Sequence, residues 1–172
     1  MKALVVYESM WGNTKQVAEA IADGLQESME VAVVEVNRAP TEPEPDVGLI
    51  VAGGPTHAFS MSRTTTRADA VNRGADHAGA GLGLREWLDQ LPTGHHSQRV
   101  ATFDTRVDKV RHLPGSAAKA AAKAAHRHGY PRAEHVESFY VDDMEGPLLD
   151  GELERAVAWG RQIAADVVEQ RR

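Results

Sequence analysis

The sequence predicts an α/β fold: a three-layer sandwich in which a five-stranded parallel sheet is covered on both faces by helices. Three observations predict it. Five short segments are continuously apolar rather than alternating, as strands buried on both faces must be. Helical patterns with apolar residues at i, i+3, i+4 spacing lie between most of them. Such alternation calls for right-handed crossovers, which bury each helix against a parallel sheet. At 172 residues the chain can bury one sizeable core, so a single domain over residues 1–172 is expected.

The strands are expected at Lys2–Tyr7, Val31–Val36, Val47–Ala52, Arg99–Phe103 and Val136–Val141. A first helix follows Asn13 and aligns Val17, Ala20, Ile21, Gly24 and Leu25 on one face. Leu84, Trp87, Leu88 and Leu91 mark a second helical face. Ser116–His128, rich in alanine and lysine, has high helix propensity and stops at Gly129 with Pro131 beyond. The last helix carries a stripe from Leu153 through Val157 and Gly160 to Val168. Two connections stand apart. Asn37–Asp46 is too rich in Pro and Glu for a full helix, and Ser62–Gly83 is polar, with a short helix expected near Thr66–Asn72. Long connections in compact domains are usually functional or mobile.

Composition narrows the chemistry. The chain has no cysteine, which excludes disulfides, thiol redox chemistry and thiolate iron–sulfur ligation. Any electrons it handles must sit on an organic cofactor or a non-thiolate metal. Eight histidines invite a metal reading, but no pair has i, i+4 spacing beside a carboxylate, so no metal site is expected. A net charge of −6 argues against non-specific nucleic-acid binding. No apolar run nears the roughly 18–20 residues of a membrane span, and no leader is evident, so a cytoplasmic location is expected. Residues 99–132 are predominantly basic and 134–154 acidic, either an ordinary solvated surface or a dipolar one that orients a partner.

Three segments carry chemistry. Glu8-Ser9-Met10-Trp11-Gly12-Asn13-Thr14 joins the first strand to the first helix. A helix N-terminus leaves amides unpaired and carries partial positive charge, which suits a phosphate. Ser9, Asn13 and Thr14 add short donors and Gly12 allows a tight turn, although Asn13 or Thr14 could equally be a plain helix cap. The second segment is Gly53-Gly54-Pro55-Thr56-His57-Ala58-Phe59-Ser60-Met61-Ser62 after the third strand, where paired glycines and nearby rings suit either a planar ligand or a simple turn. The third is Phe103-Asp104-Thr105-Arg106-Val107, directly after the fourth strand. Ligands of open α/β sheets bind beyond the carboxyl ends of the strands, where strand order reverses. A triphosphate loop, a dinucleotide fingerprint and a serine-hydrolase elbow are all missing. A phospho-acceptor receiver is excluded because the third strand ends in Gly53-Gly54.

The S-x-x-G-N-T ending of the first segment resembles the phosphate loop of flavodoxins, T/S-x-T-G-N-T, and the likeness extends in topology over most of the chain. The resemblance implies a flavodoxin-like sheet of order 2-1-3-4-5 with flavin mononucleotide (FMN) at its carboxyl edge. It assigns phosphate contacts to Ser9, Met10, Trp11, Gly12, Asn13 and Thr14. By loop position it assigns ring contacts to Pro55, Thr56, His57, Ala58 and Phe59 and to Phe103, Asp104, Thr105 and Arg106, with a peptide within Thr56–Phe59 bonding the flavin N5. Two departures matter. Flavodoxins usually sandwich the ring between Trp and Tyr; here Phe59 or His57 would serve on one side, and Phe103 is either a ring neighbour or the last core residue of the fourth strand. Arg106 stands where an acidic loop is usual, either as a cation that would raise the potential or as a surface arginine facing water.

The expected function is that of an FMN-binding electron carrier between a reductase and an acceptor, steered by Asp142, Asp143 and Glu145 and acting as a monomer or weak dimer. The alternatives are an FMN-dependent NAD(P)H:quinone oxidoreductase and a binding module of the same fold without FMN.

Overall fold

A computed structural model describes residues 1–75 and 81–170. The first strand, β1 (Lys2–Tyr7), is an interior strand of a parallel sheet, and its residues Ala3, Leu4, Val5 and Val6 are all buried. Alternation sends Ala3 and Val5 to one face and Leu4 and Val6 to the other, into two separate cores. That two-sided burial is why the strand reads as an unbroken apolar run. After it come α1 (Asn13–Gln26), β2 (Glu30–Glu35), β3 (Val47–His57), the two-residue β4 (Ser60–Met61), α2 (Thr64–Asn72) and α3 (Leu84–Asp89). The chain then forms β5 (Arg99–Val107), α4 (Ala117–Arg127), β6 (His135–Val141) and α5 (Glu152–Glu169).

The sheet order is β2-β1-β3-β5-β6, all parallel, with β4 folded back antiparallel on the end of β3. Counting only the five long strands, this is the expected 2-1-3-4-5. Helices α1 and α5 cover one face, around Ile21, Leu25, Phe103, Trp159 and Ile163. Helices α3 and α4 cover the other, around Trp87, Leu88, Ala121 and Tyr130. Gly24 and Gly160 let α1 and α5 touch: a Cβ on Gly24 would lie 2.1 Å from the Val157 carbonyl oxygen, and one on Gly160 2.3 Å from that of Ile21. Among the described residues no helix is long and apolar enough to cross a membrane.

Two strand ends differ from expectation. β3 continues past Ala52 to His57 and β5 past Phe103 to Val107, with Gly54 opposite Asp104 and Pro55 opposite Thr105. The segments read as loops are therefore mostly strand. Pro55 is tolerated there because β1 has already left the sheet at Tyr7, opposite Gly53, so one edge of β3 no longer needs a donor. Gly53 serves packing rather than a turn, since a Cβ would strike the Phe103 ring at 2.3 Å. The expected Ser62–Gly83 connection holds α2, and its residues 76–80 lie outside the described part of the chain.

Candidate functional site

The C-terminal ends of β1, β3, β5 and β6 surround a cleft of about 230 Å³. Met10, Trp11, Asn13 and Thr14 line it from the loop into α1; Pro55, Thr56, His57 and Ala58 line it from the end of β3 and the turn that follows. Thr105 and Val107 come from β5, and Val141 and Met144 from the end of β6 and just beyond. The fourth wall is α2, through Thr66, Asp69, Ala70 and Arg73.

The loop into α1 is shaped by Gly12, whose φ of 90° is left-handed and natural only to glycine. The Ser9 hydroxyl accepts from the N–H groups of Gly12 (3.1 Å) and Lys15 (3.3 Å), so Ser9 caps the helix and does not line the cleft. The N–H groups of Asn13 and Thr14, on the first turn, find no acceptor among the described residues. The Asn13 side-chain amide instead reaches 3.0 Å across to the Glu145 carbonyl, latching the segment after β6 onto α1. The Thr14 hydroxyl lies 2.7 Å from that of Thr105. Two hydroxyls sharing one bond keep a second hydrogen to donate. The Trp11 ring lines the cleft, and its Nε1 has no partner among the described residues.

On the opposite wall, β3 turns into β4 through Ala58 and Phe59, both left-handed at φ 47° and 64°. The Thr56 hydroxyl accepts from the Ala117 N–H at 2.9 Å and ties this hairpin to the start of α4. Burial, aided by the charge of Arg67, holds the His57 imidazole below its usual pKa, so it stays neutral at pH 7. Phe59, expected against a ring, is 48% exposed and does not line the cleft.

Three residues assigned to the ring lie elsewhere. Phe103 is fully buried and packs edge-to-face on Phe139 and Trp159, with centroids 6.4 and 6.5 Å away. Asp104 is fully buried, accepts from the Ala118 N–H at 2.9 Å and so caps α4; burial pushes its carboxyl above the ordinary range. Arg106 neither faces water nor lines the cleft. Thr105 and Val107 line it, and alternation along β5 turns Arg106 the other way. There it is buried and donates to the carbonyls of Val110 (3.0 Å) and Leu113 (3.2 Å). Of the third segment only Thr105 and Val107 reach the cleft.

The short helix expected near Thr66–Asn72 is α2, but its cleft-lining residues were not assigned to the site, and neither were Val141 and Met144. Val141 ends its strand where expected, and the α2 residues at the cleft were passed over because they are small or polar. Among the described residues no cluster of three or more His, Asp or Glu could hold a metal ion.

This arrangement has relatives. Residues 5–83 match the family model described as flavodoxin. A flavodoxin from the domain Archaea superposes with a TM-score of 0.66 at 22% identity, over 97% of this chain and 99% of that one. Flavodoxin 1 from Bacillus cereus gives 0.62 at 15% identity, over 96% and 98%. The flavodiiron protein from Giardia intestinalis gives 0.61 at 17%, over 98% of this chain and 36% of that one. At these identities the structures establish the fold alone. No curated protein sequence matches the chain. The family match over residues 5–83, the superposed structures and the strand order of the whole sheet together show that the chain has a flavodoxin-like fold.

Proposed function

We propose that the cleft binds FMN and that the protein transfers electrons through it. The observation that carries this reading is the meeting, at one sheet edge, of unpaired first-turn amides with a hydroxyl pair and the end of β3. The donor set fits a phosphate dianion: the N–H groups of Asn13 and Thr14 point out of a positive helix end, and the Thr14–Thr105 pair offers a further hydrogen. Pro55–Ala58 and Val107 suit a flat ring, and the sulfurs of Met10 and Met144 are natural neighbours for one. FMN, when bound, supplies one- and two-electron transfer. The chain's own part is to orient the ring, exclude water from it and offer a neutral His57. Titration of purified protein with FMN tests this: saturable binding with quenched flavin fluorescence is expected. A colourless preparation that takes up no FMN at high micromolar supply would overturn it.

In the carrier form of this reading, the exposed Asp142, Asp143 and Glu145 beside Met144 steer a basic redox partner. Partner reduction should then slow as salt rises. A salt-independent rate would remove the steering. One observation favours an enzyme instead. Trp11 and His57 are the only rings that line the cleft among the described residues, since Phe59 faces outward. An open ring face leaves room for a nicotinamide or a quinone. NAD(P)H consumption with a quinone by the protein alone would select that reading over the carrier.

A further inference from the structure

Helix α2 covers the cleft yet has almost no apolar hold on the rest of the molecule. Its only buried residues are Arg67 and Ala70, and Ala70 offers one methyl group to the small cluster with Met10 and Trp11. A helix this polar is not held by core packing. What it has is a buried ion cluster. Arg67, 5% exposed, donates through Nη2 to Glu86 Oε1 at 2.8 Å and through Nη1 to Glu86 Oε2 at 3.2 Å. The same Nη1 donates to the Ser62 hydroxyl at 2.9 Å. Ser62 bonds the buried Glu8 carboxylate, whose other oxygen accepts from the Leu84 N–H at 2.7 Å. Gly83 makes room for this, because a Cβ there would lie 2.2 Å from Arg67 Nη1. Arg85 clamps the approach to α2 by donating to the carbonyls of Met61 (2.9 Å) and Ser62 (3.2 Å).

Glu8 is also the residue at which β1 leaves the sheet and the Ser9–Thr14 loop begins. We propose that Arg67 is the positioning residue of the cleft's fourth wall, holding α2 over the Ser9–Thr14 loop through Glu86 on one side and Ser62–Glu8 on the other. A planar bidentate fork is needed, so lysine cannot replace it fully. Because wall and loop share the Glu8 anchor, a ligand on the loop and an ordered α2 reinforce each other, and the coupling is reciprocal. Only this last clause rests on the FMN reading.

The test is hydrogen exchange of the full chain without ligand, followed at residues 66–72. Arg67→Met should lower protection there at least tenfold while α1 and α5 keep theirs, and Arg67→Lys should restore it in part. Trp11 emission should shift to the red in Arg67→Met, because Trp11 packs in the cluster that Ala70 closes, and a Trp11→Phe background should abolish the shift. Should Arg67→Met fail to fold, Glu86→Ala removes the partner at a site with 32% side-chain exposure and should lower protection of 66–72 in the same way. Protection of 66–72 within twofold of the parent in the folded variants would overturn the proposal. In a second arm, FMN should raise α2 protection in the parent, and Arg67→Met should bind FMN at least tenfold more weakly. If FMN binds and neither effect follows, the coupling is wrong. If FMN does not bind at all, the functional reading fails while the exchange result still judges Arg67.

Discussion

The Thr14–Thr105 hydroxyl pair offers a test that separates folding from phosphate recognition. Both residues are buried, at 2% and 5% exposure, and their oxygens are 2.7 Å apart. Thr14→Val keeps the shape and removes one hydroxyl, so one hydrogen bond is lost and Thr105 is left facing a methyl. That should cost about 1–2 kcal/mol of stability. Thr105→Val should cost a similar amount. The double variant removes both polar groups together and should cost little more than either one, giving a coupling of about 1 kcal/mol in a urea-denaturation cycle. Ligand binding is read separately. A hydroxyl that donates to a phosphate dianion is worth about 1.5–3 kcal/mol, so Thr14→Val should raise the FMN Kd by about 10- to 160-fold. Riboflavin has no phosphate and should bind both proteins alike. An equal loss for FMN and riboflavin, or additive destabilisation in the double variant, would refute the argument.

Other outcomes follow from single positions. Gly160→Ala would place a Cβ 2.3 Å from the Ile21 carbonyl oxygen; despite about 1 kcal/mol of gained helix propensity, the forced separation of α1 and α5 should leave it about 2 kcal/mol less stable by denaturant melt. A variant as stable as the parent would mean that the helices do not cross this closely. Ala58→Gly relieves a left-handed residue at φ 47° and should stabilise by about 0.5–1 kcal/mol; destabilisation would show that the turn holds no strain. Burial, against the opposing bonds from Leu84 and Ser62 and the charge of Arg67, holds the Glu8 carboxyl above its ordinary pKa of 4.5. A raised folded pKa means that this group's contribution to stability is complete below the unfolded value and declines as pH rises through the folded one. Glu8→Gln mimics the protonated form and removes that decline, so its Tm should match the parent near pH 4.5 and exceed it at pH 8. A gap that stays the same at both pH values would count against it.

Much of the site was legible because its first loop is local. The turn at Gly12 and the first-turn amides of Asn13 and Thr14 depend on neighbours within a few residues, and residue order exposes them directly. The third segment was not legible in this way. Whether Asp104 or Thr105 faces the cleft depends on how far β5 continues beside β3, and a shift of one residue exchanges the two faces. Phe103 could be read as a ring neighbour or as the last core residue of its strand, and the glycine opposite it on β3 decided for the core by opening a pocket there.

The apolar runs, the helical stripes and the glycines of α1 and α5 determined the layers and the sheet, because burial on two faces imposes a periodicity that residue order must display. The tertiary structure alone decided which α2 residues line the cleft and that Arg67, Glu86 and Glu8 are brought together behind them. Ion pairs between residues far apart in the chain leave no periodic trace, since they are selected by distance in space rather than by spacing along the sequence.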